Sequence, residues 1–360
     1  MRRATFYRRS APDVPINHST NQPTYARYFL VNPLPLKLIG IGRYLPPRVV
    51  PSSEVEALCG LPAGWAERNN GVRERRWVGA ERNADMGAAA AREALADAGL
   101  GAGDIDLIIN ASGTSEQYIP DTGPLVQRAL GWGQSAIPAL TLHATCLSFV
   151  AAIDFAASLI ATGRYTTILI ITAEIASLGL NFAEAESATL LGDAAAAVVV
   201  TRTPPGESSA LLAAHMETYS DGADYTQLLG GGSRYHPNAA HTQPTHNLFH
   251  MEGSRVARFG IKHSAPFLEK LRPGLSTGLA GVDWVTPHQA SLLMLRTLTK
   301  LGWPEERIVS TLATLGNCIA ASIPVTLYEA IHSGKLQRGQ EVLLVGTGAG
   351  LSLGGAILRY

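Results

Sequence analysis

The 360-residue sequence has little charge, few cysteines and no long uninterrupted apolar run. Charged residues make up 16%, and Lys plus Arg equal Asp plus Glu at 29 each, so the formal net charge is zero. Binding of nucleic acid through its phosphates needs a basic surplus, and this balance argues against such a partner. With 46% hydrophobic residues, the chain predicts a large buried core rather than disorder.

Cysteine occurs at three positions, Cys59, Cys146 and Cys318. They match neither a C-x-x-C pair nor a disulfide framework, so we expect free thiols in a reducing cytoplasm. The most apolar long stretch, residues 147–161, contains an aspartate and is too short to cross a bilayer, which argues against a membrane protein. Residues 1–35 are polar and have no apolar run typical of a signal peptide, and we expect a mobile extension there.

Patterns for nucleotide cofactors and metals are missing as well. The segment GTGAG, residues 346–350, follows an apolar strand pattern, but Leu351 stands where a dinucleotide fingerprint needs glycine. The sequence after it reads as a strand, whereas that fingerprint requires a long helix. The four histidines between residues 236 and 250 fit no ligand spacing, so we predict no metal site and no bound cofactor.

Strand and helix patterns alternate along the rest of the chain, whereas residues 203–250 resemble surface loops. Helices are predicted at 84–98, 146–162, 256–271, 291–302 and 317–333. Strands are predicted at 36–46, 106–110, 137–144, 166–174, 194–202, 282–290, 307–312, 341–350 and 353–360. Helix, strand and loop-borne polar residue follow one another in 36–205 and again in 206–360. This order predicts two duplicated α/β halves whose sheets are covered by helices on both faces.

Cys146 follows a predicted strand and opens a long apolar helix. A thiol at a helix N-terminus faces the positive end of the helix dipole and free backbone N–H groups. Both favour the thiolate, which is the nucleophilic form. From position alone, a catalytic nucleophile and a buried structural cysteine are equally good interpretations.

His288 and Asn317 occupy loops at the ends of predicted elements, in TPHQA and LGNCIAAS. Together with Cys146 they supply a nucleophile, a base and an amide donor at positions where sites are usually built. The glycines of VGTGAGLSLGG allow backbone N–H groups to approach a ligand closely, which suits an oxyanion hole. The combination predicts acyl transfer through a thiol.

With these residues in view, the sequence resembles β-ketoacyl-acyl-carrier-protein synthase III and its relatives in the thiolase superfamily. The resemblance covers residues 36–360 and rests on seven segments in the family's order. These are GIGRYLP, GWAERNNGVRER, the surroundings of Cys146, LLGDAAAAVV, VTPHQA, LGNCIAASIP and GTGAGLSLGGAILRY. The family implies an α/β fold of thiolase type, with five layers in the order αβαβα built from two duplicated halves, and a homodimer.

The resemblance also implies a division of labour in the site. Cys146 takes an acyl group from a thioester of coenzyme A or of an acyl carrier protein. His288 and Asn317 then hold the carbonyl of a malonyl thioester while it loses carbon dioxide, because two positioned donors stabilise the enolate oxygen. Backbone N–H groups of Cys146 and Ala349 form the oxyanion hole for acyl transfer.

Two of three positions depart from the family where it binds coenzyme A. Trp65 matches the tryptophan that stacks on the adenine, whereas Asn69 and Ala185 replace two arginines of that site. An aromatic ring alone recognises a charged nucleotide weakly. The acyl donor therefore stays open between coenzyme A and an acyl carrier protein.

Other positions bear on the substrates. Thr347 replaces a phenylalanine that lies close to the malonyl carboxylate in the family, where an apolar ring favours loss of the charge. Ile119 falls where the family often has a phenylalanine of the partner chain at the acyl pocket, so we expect room for a longer or branched acyl chain. A basic patch for the acidic carrier, or else ordinary solvated charges, is predicted at Arg258, Arg296 and Lys300.

Three functions are compatible with these residues. The first is decarboxylative condensation with a malonyl- or β-ketoacyl-carrier protein, in fatty-acid or polyketide-like biosynthesis. The second is an acyltransferase that passes the acyl group from Cys146 to an oxygen or nitrogen acceptor, with His288 as general base. The third is a non-catalytic partner subunit, against which the intact Cys146, His288 and Asn317 argue.

Overall fold

The structure, a computed structural model, describes residues 33–360. The extension predicted for residues 1–35 therefore lies almost wholly outside the described residues. Its last part does not, because Leu34 and Leu211 exchange two backbone hydrogen bonds. Strand pairing thus begins before Leu36, the predicted start of the compact chain.

Strands and helices alternate through the described chain. The strands are β1 (Lys37–Tyr44), β2 (Arg48–Pro51), β3 (Glu74–Trp77), β4 (Leu107–Asn110), β5 (Ala139–Thr141), β6 (Thr167–Glu174), β7 (Ala194–Thr201), β8 (Ala210–Thr218), β9 (Thr226–Gln227), β10 (His250–Met251), β11 (Trp284–Pro287), β12 (Glu341–Gly348) and β13 (Ser352–Arg359). The helices are α1 (Ser52–Leu58), α2 (Trp65–Asn70), α3 (Asn83–Ala98), α4 (Thr122–Ala129), α5 (Ser148–Ala161), α6 (Ala185–Ala188), α7 (Gly253–Leu271), α8 (Leu292–Lys300), α9 (Leu312–Leu315) and α10 (Ser322–His332). None of these helices combines the length and apolarity that a bilayer span requires.

Two larger sheets repeat one strand order. The first runs β1, β7, β6, β4 and β5, and the second runs β8, β13, β12 and β11. In each sheet the first two pairings are antiparallel and the next is parallel. The strands of the first sheet all precede residue 205, and those of the second all follow it.

The main core lies between the two sheets and is filled by α5 and α10. Because side chains alternate along a strand, Ile168 and Ile170 of β6 face this core while Leu169 and Ile171 face α3 and α4 on the other side. A third cluster packs α7 and α8 on the outer face of the second sheet. The layers therefore run helix, sheet, helix, sheet, helix.

Glycines in β1 set how closely α3 packs on the first sheet. A Cβ atom at Gly42 would overlap the backbone of Ala90 and Ala94, and one at Gly40 would overlap the backbone of Ala94. The small residues of α3 and the missing side chains of β1 thus allow helix and strand to touch through their backbones.

Two sequence predictions fail in the second half. Residues 203–250 were expected to be loops, yet they contain β8, an edge strand whose side chains are mostly half-buried, so its apolar signal is weak. Residues 307–312 were expected to form a strand, yet Ile308 makes a single bridge to Val285. The side chain of Gln289 accepts hydrogen bonds from the backbone N–H groups of Thr311 and Leu312, which removes them from a strand ladder.

Candidate active site

Cys146 lies in a single 3-10 turn, Thr145–Leu147, directly before α5. Thr145 has a φ of +51°. The Ser148 hydroxyl closes the turn, since it accepts a hydrogen bond from the Ala144 N–H and donates one to the Thr145 carbonyl. This geometry places the thiol at the start of the apolar helix, at the position that the sequence predicts.

Burial governs the protonation of Cys146. Burial, and to a lesser extent the negative charge of Glu174, raises the pKa of the thiol to about 12. The backbone N–H groups of Ala349 and Cys146 lower it, but by less. The helix start favours the thiolate as expected, yet burial outweighs it, so the resting group is the thiol.

The C-terminal glycines bring β12 to the turn that carries Cys146. A Cβ atom at Gly348 would lie 2.9 Å from Thr145 Oγ1 and 3.2 Å from Leu147 Cγ. Thr145 Oγ1 also donates a hydrogen bond to the Ala349 carbonyl, at 3.3 Å. Glycine at position 348 therefore permits the close approach by which the Ala349 N–H faces the Cys146 sulfur.

His288 follows the last residue of β11, and its backbone N–H donates to the Val345 carbonyl at 2.8 Å. A Cβ atom at Gly346 would lie 2.6 Å from His288 Cβ and 3.4 Å from Leu147 Cδ2. This glycine thus lets the histidine and the Cys146 turn converge on β12. Burial lowers the pKa of His288 to about 4, so its imidazole is neutral at physiological pH.

The surroundings of His288 also indicate where its proton lies. Its Nδ1 atom is buried and has no hydrogen-bond partner among residues 33–360. A buried N–H group without an acceptor is rarer than an acceptor without a donor. We therefore assign the proton to Nε2, which makes the neutral ring a hydrogen-bond donor at that atom.

Asn317 is held by its backbone and by its own side-chain oxygen. Its N–H donates to the Leu190 carbonyl, and its carbonyl accepts from the Gly192 N–H. Its Oδ1 atom accepts a hydrogen bond from the Ile319 N–H at 2.9 Å. With Oδ1 fixed in this way, the Nδ2 amide is the group left to donate to a ligand.

The turn after Asn317 is a second copy of the turn around Cys146. Ile319 has a φ of +47°, and the Cys318 N–H donates to the Ser322 hydroxyl at the start of α10. The two turns are neighbours, because both pack against Gly113. A Cβ atom at Gly113 would lie 2.7 Å from Ile319 Cγ2 in one turn and 3.3 Å from the Thr145 carbonyl oxygen in the other. The internal duplication therefore brings Cys146 and Asn317 together.

Sequence reasoning missed Glu174, at the end of β6. This fully buried carboxyl accepts hydrogen bonds from the backbone N–H groups of Gly113 and Thr114 and from the Thr114 hydroxyl. Burial raises its pKa to about 8 despite these bonds. The signal was present, because Glu174 is the one charged residue of an otherwise apolar strand.

The residues predicted for the mouth of the site share one region. Trp65 and Asn69 lie on α2, and Ala185 begins α6. Asn70 joins these helices, since its Nδ2 atom donates to the Glu186 carbonyl and to Thr189 Oγ1. The Asn69 amide donates to the Trp65 carbonyl of its own helix, so this side chain does not reach outward to a ligand as an arginine could.

The remaining predicted residues divide between surface and interior. Ile119 is 80% exposed and does not enter an acyl pocket of its own chain. Thr347 is buried on β12 and lines, with His288, a small apolar cavity between α7 and α8. The basic residues predicted to dock a carrier are exposed on these helices and make no salt bridge within the described chain: Arg258, Arg296 and Lys300.

Comparison with known proteins gives consistent matches. Family models described as 3-oxoacyl-[acyl-carrier-protein (ACP)] synthase III and its C-terminal part match residues 140–220 and 276–360. The β-ketoacyl-[acyl-carrier-protein] synthase III of Rhodospirillum centenum is 34% identical over 333 residues, which cover 91% of this chain and 100% of that protein.

Solved structures show the same relationship. The 3-oxoacyl-[acyl-carrier-protein] synthase III of Aquifex aeolicus VF5 is 32% identical with a TM-score of 0.78, over 90% of this chain and 100% of that chain. The priming β-ketosynthase of the R1128 polyketide pathway is 27% identical with a TM-score of 0.79, over 91% and 97%. The thiolase-type fold and the acyltransferase class predicted from the sequence are confirmed. The chain belongs to the β-ketoacyl-acyl-carrier-protein synthase III family of condensing enzymes.

Proposed function

We propose that the protein loads an acyl group onto Cys146 and condenses it with a malonyl-type thioester of a carrier protein, with loss of carbon dioxide. The observation that carries this proposal is the pair of neutral donors, His288 Nε2 and Asn317 Nδ2. His288 is kept uncharged by burial, and Asn317 is oriented by its bond to the Ile319 N–H. Two such donors suit an oxygen that gains negative charge as the reaction proceeds.

Loading is a thioester exchange. The Cys146 sulfur attacks the carbonyl carbon of the donor thioester, and the bond to the donor sulfur breaks. The thiol proton of Cys146 ends on the departing thiol, so the step needs no net base. The N–H groups of Cys146 and Ala349 both face the sulfur, and we propose that they bind the oxyanion of the tetrahedral intermediate.

Condensation follows on the loaded enzyme. The malonyl-type thioester loses its carboxylate as carbon dioxide, and the electron pair forms an enolate whose oxygen is bound by His288 and Asn317. The carbon end of the enolate attacks the acyl carbonyl on Cys146 and expels the sulfur. Because burial raises the pKa of Cys146 to about 12, the expelled thiolate takes up a proton from water and the thiol is restored. Both substrates are activated as thioesters, so we propose that neither step uses a cofactor.

A homodimer fits the surface of the single chain. Strand β5 pairs on one side only within the described chain, which leaves an edge that can continue the sheet into a second copy. Tyr118 and Ile119 are 77% and 80% exposed, which is unusual for adjacent large apolar residues. We propose that Ile119 reaches the acyl pocket of the partner subunit in a cytoplasmic dimer.

The substrates and the chain's organisation complete the proposal. Trp65 marks the mouth through which a thioester of coenzyme A or of a carrier protein enters. The exposed basic residues of α7 and α8 are the proposed dock for the acidic carrier, at Arg258, Arg296 and Lys300. We also propose that the two duplicated halves span residues 36–205 and 206–360.

Intact-protein mass spectrometry tests the function. Incubation with a panel of acyl thioesters is expected to add one acyl group to the wild type and none to Cys146→Ala, and a malonyl-carrier chase then releases a β-ketoacyl product. Asn317→Ala is expected to load normally but to condense about 100-fold or more slowly, because one donor to the enolate is lost. Normal loading of Cys146→Ala would contradict the nucleophile assignment.

Thr347 gives the second candidate function its support. This residue beside His288 offers less apolar surface than a phenylalanine ring to favour loss of the malonyl carboxylate. An acyltransferase would keep its acyl group through the malonyl chase and release it to added alcohols or amines. That result would replace condensation by transfer to oxygen or nitrogen.

A further inference from the structure

The cavity beside His288 is apolar and small. Its walls come from α7, α8 and β12, with Phe267, Leu268, Leu298 and Thr347 among the residues that line it. Its volume is about 40 Å³. A water-sized atom needs about 10–15 Å³, so roughly three or four carbon atoms fit, but not a long acyl chain.

The lining selects for an alkyl group. Phe267 and Leu268 are 1% exposed, so they form a fixed wall. The Ser264 hydroxyl on α7 donates its hydrogen bond to the Gly260 carbonyl and demands no polar partner from an occupant. Apart from Thr347 and the neutral His288 the lining is almost wholly apolar, so a charged substituent would lose its hydration without a countercharge, whereas an alkyl group gains from leaving water.

The position of the cavity identifies the substrate to which that alkyl group belongs. His288, Gly346 and Thr347 line it, but Cys146 and Ile119 do not. It therefore adjoins the point where the nucleophilic thioester is held, rather than the acyl chain on the thiol. If His288 binds the carbonyl of the nucleophilic thioester, a substituent on the adjacent carbon lies next to this cavity.

We propose that the nucleophilic partner is an α-branched malonyl-type thioester, with a branch of about two to four carbons seated between α7 and α8. This inference rests on the proposed condensation. Decarboxylation of such a thioester gives a substituted enolate, and the bond to acyl-Cys146 forms at the branched carbon. The product is an α-alkyl-β-ketoacyl thioester.

Competition among nucleophiles tests the inference. Acyl-loaded enzyme is mixed with equal amounts of malonyl-, ethylmalonyl-, propylmalonyl- and hexylmalonyl-carrier protein, and the products are counted by mass spectrometry. Ethyl and propyl products are expected to exceed the unbranched and hexyl products. Leu298→Phe fills the cavity and is expected to lower the ratio of branched to unbranched product about tenfold or more.

Matched variants keep the result interpretable. Leu293→Phe makes the same change on the exposed face of α8, and its product ratio is expected to equal that of the wild type. Ala290→Leu narrows the half-buried end of the cavity and is expected to act like Leu298→Phe if the latter does not fold.

The outcomes separate the two proposals. The branched substrate is overturned, while condensation stands, if the wild type prefers malonyl-carrier protein and neither cavity variant changes the ratio of branched to unbranched product. The branched substrate is also overturned if the cavity variants change the acyl chain that is preferred on Cys146 and leave the ratio of branched to unbranched product unchanged. If loaded enzyme condenses with none of the four thioesters, the proposed function fails and this inference with it.

Discussion

Cys146 and His288 both lie in surroundings that disfavour charge. Burial raises the pKa of the thiol to about 12 and lowers that of the imidazole to about 4. The resting pair is therefore a thiol and a neutral ring, not a thiolate and an imidazolium. A neutral ring with its proton on Nε2 can donate to an enolate oxygen without first losing or gaining charge.

The depressed pKa of His288 predicts that the free energy of unfolding falls as the pH falls. Its folded pKa of about 4 lies below the ordinary 6.5, so the unfolded chain binds the proton first as pH falls. The contribution of the neutral His288 to the free energy of unfolding is complete above pH 6.5 and is lost as the pH falls towards 4. From pH 7 to pH 4.5, the free energy of unfolding is expected to fall by about 2–3 kcal/mol more in the wild type than in His288→Gln.

Urea unfolding at the two pH values measures this difference. His236→Gln, a change at an exposed loop histidine, is the control and is expected to follow the wild type. Equal acid sensitivity in His288→Gln and the wild type would show that His288 is not held neutral by the fold.

Glu174 predicts a second effect on a single residue. Its negative charge raises the pKa of Cys146, so Glu174→Gln is expected to lower that pKa. At pH 9, above the pKa of about 8 of Glu174, alkylation of Cys146 by iodoacetamide is expected to be several-fold faster in the variant. Peptide mass spectrometry separates Cys146 from Cys59, and an unchanged rate at Cys146 would exclude the charge effect.

At the scale of elements, two copies of one short turn build the site. Each copy leads into a helix of the central layer, with a left-handed residue at Thr145 or Ile319 and a serine that closes the turn. One copy carries Cys146, and the other follows Asn317. Packing of α5 against α10 in a single core then fixes the distance between the two.

Close packing of β1 against α3 predicts a stability effect. Gly42→Ala places a methyl group into the backbone of α3, which is expected to lower the free energy of unfolding by about 1–3 kcal/mol. Gly103→Ala is the matched control, because a Cβ atom there meets nothing within 4 Å. Denaturant titration compares them, and equal stabilities would contradict the backbone contact.

At the scale of the whole molecule, the site draws on both sheets but not on all predicted residues. Cys146 comes with the first sheet, and His288, Asn317 and Ala349 come with the second. Ile119 remains exposed on the single chain, and within residues 33–360 strand β5 has a neighbour on one side only. In the proposed dimer a second copy covers this surface, and each chain contributes Ile119 to the acyl pocket of the other.

Complementation between subunits tests this dimer. Ile119→Trp is expected to block acyl loading of the partner's site, and Cys146→Ala cannot be loaded at all. After mixing and exchange of subunits, a mixed dimer contains one intact Cys146 faced by a native Ile119 from the other chain. Acyl loading is expected to return to about a quarter of the wild-type level per chain in an equal mixture, because half the dimers are mixed and one site in each is complete. Absence of recovery after confirmed exchange would place Ile119 outside the partner's pocket.

The sequence by itself determined the alternation of strands and helices, the three chemical groups and the family. Long apolar segments such as β6, α5 and β12 can be recognised from local pattern alone, and Cys146, His288 and Asn317 occur in motifs before or after regular elements. It did not reveal β8, because an edge strand buries too little to show a clear alternation. It predicted a strand at 307–312 that does not form, because Gln289, which is distant in sequence, accepts hydrogen bonds from the N–H groups of Thr311 and Leu312.

Only the tertiary structure decided the protonation of the site and the space around it. Local position at a helix start favours a thiolate at Cys146, but the surrounding layers remove water and reverse that preference. The same layers leave His288 Nδ1 without a partner among the described residues and enclose the cavity at Thr347. Desolvation and cavity shape depend on residues far apart in the chain, so no local sequence pattern records them.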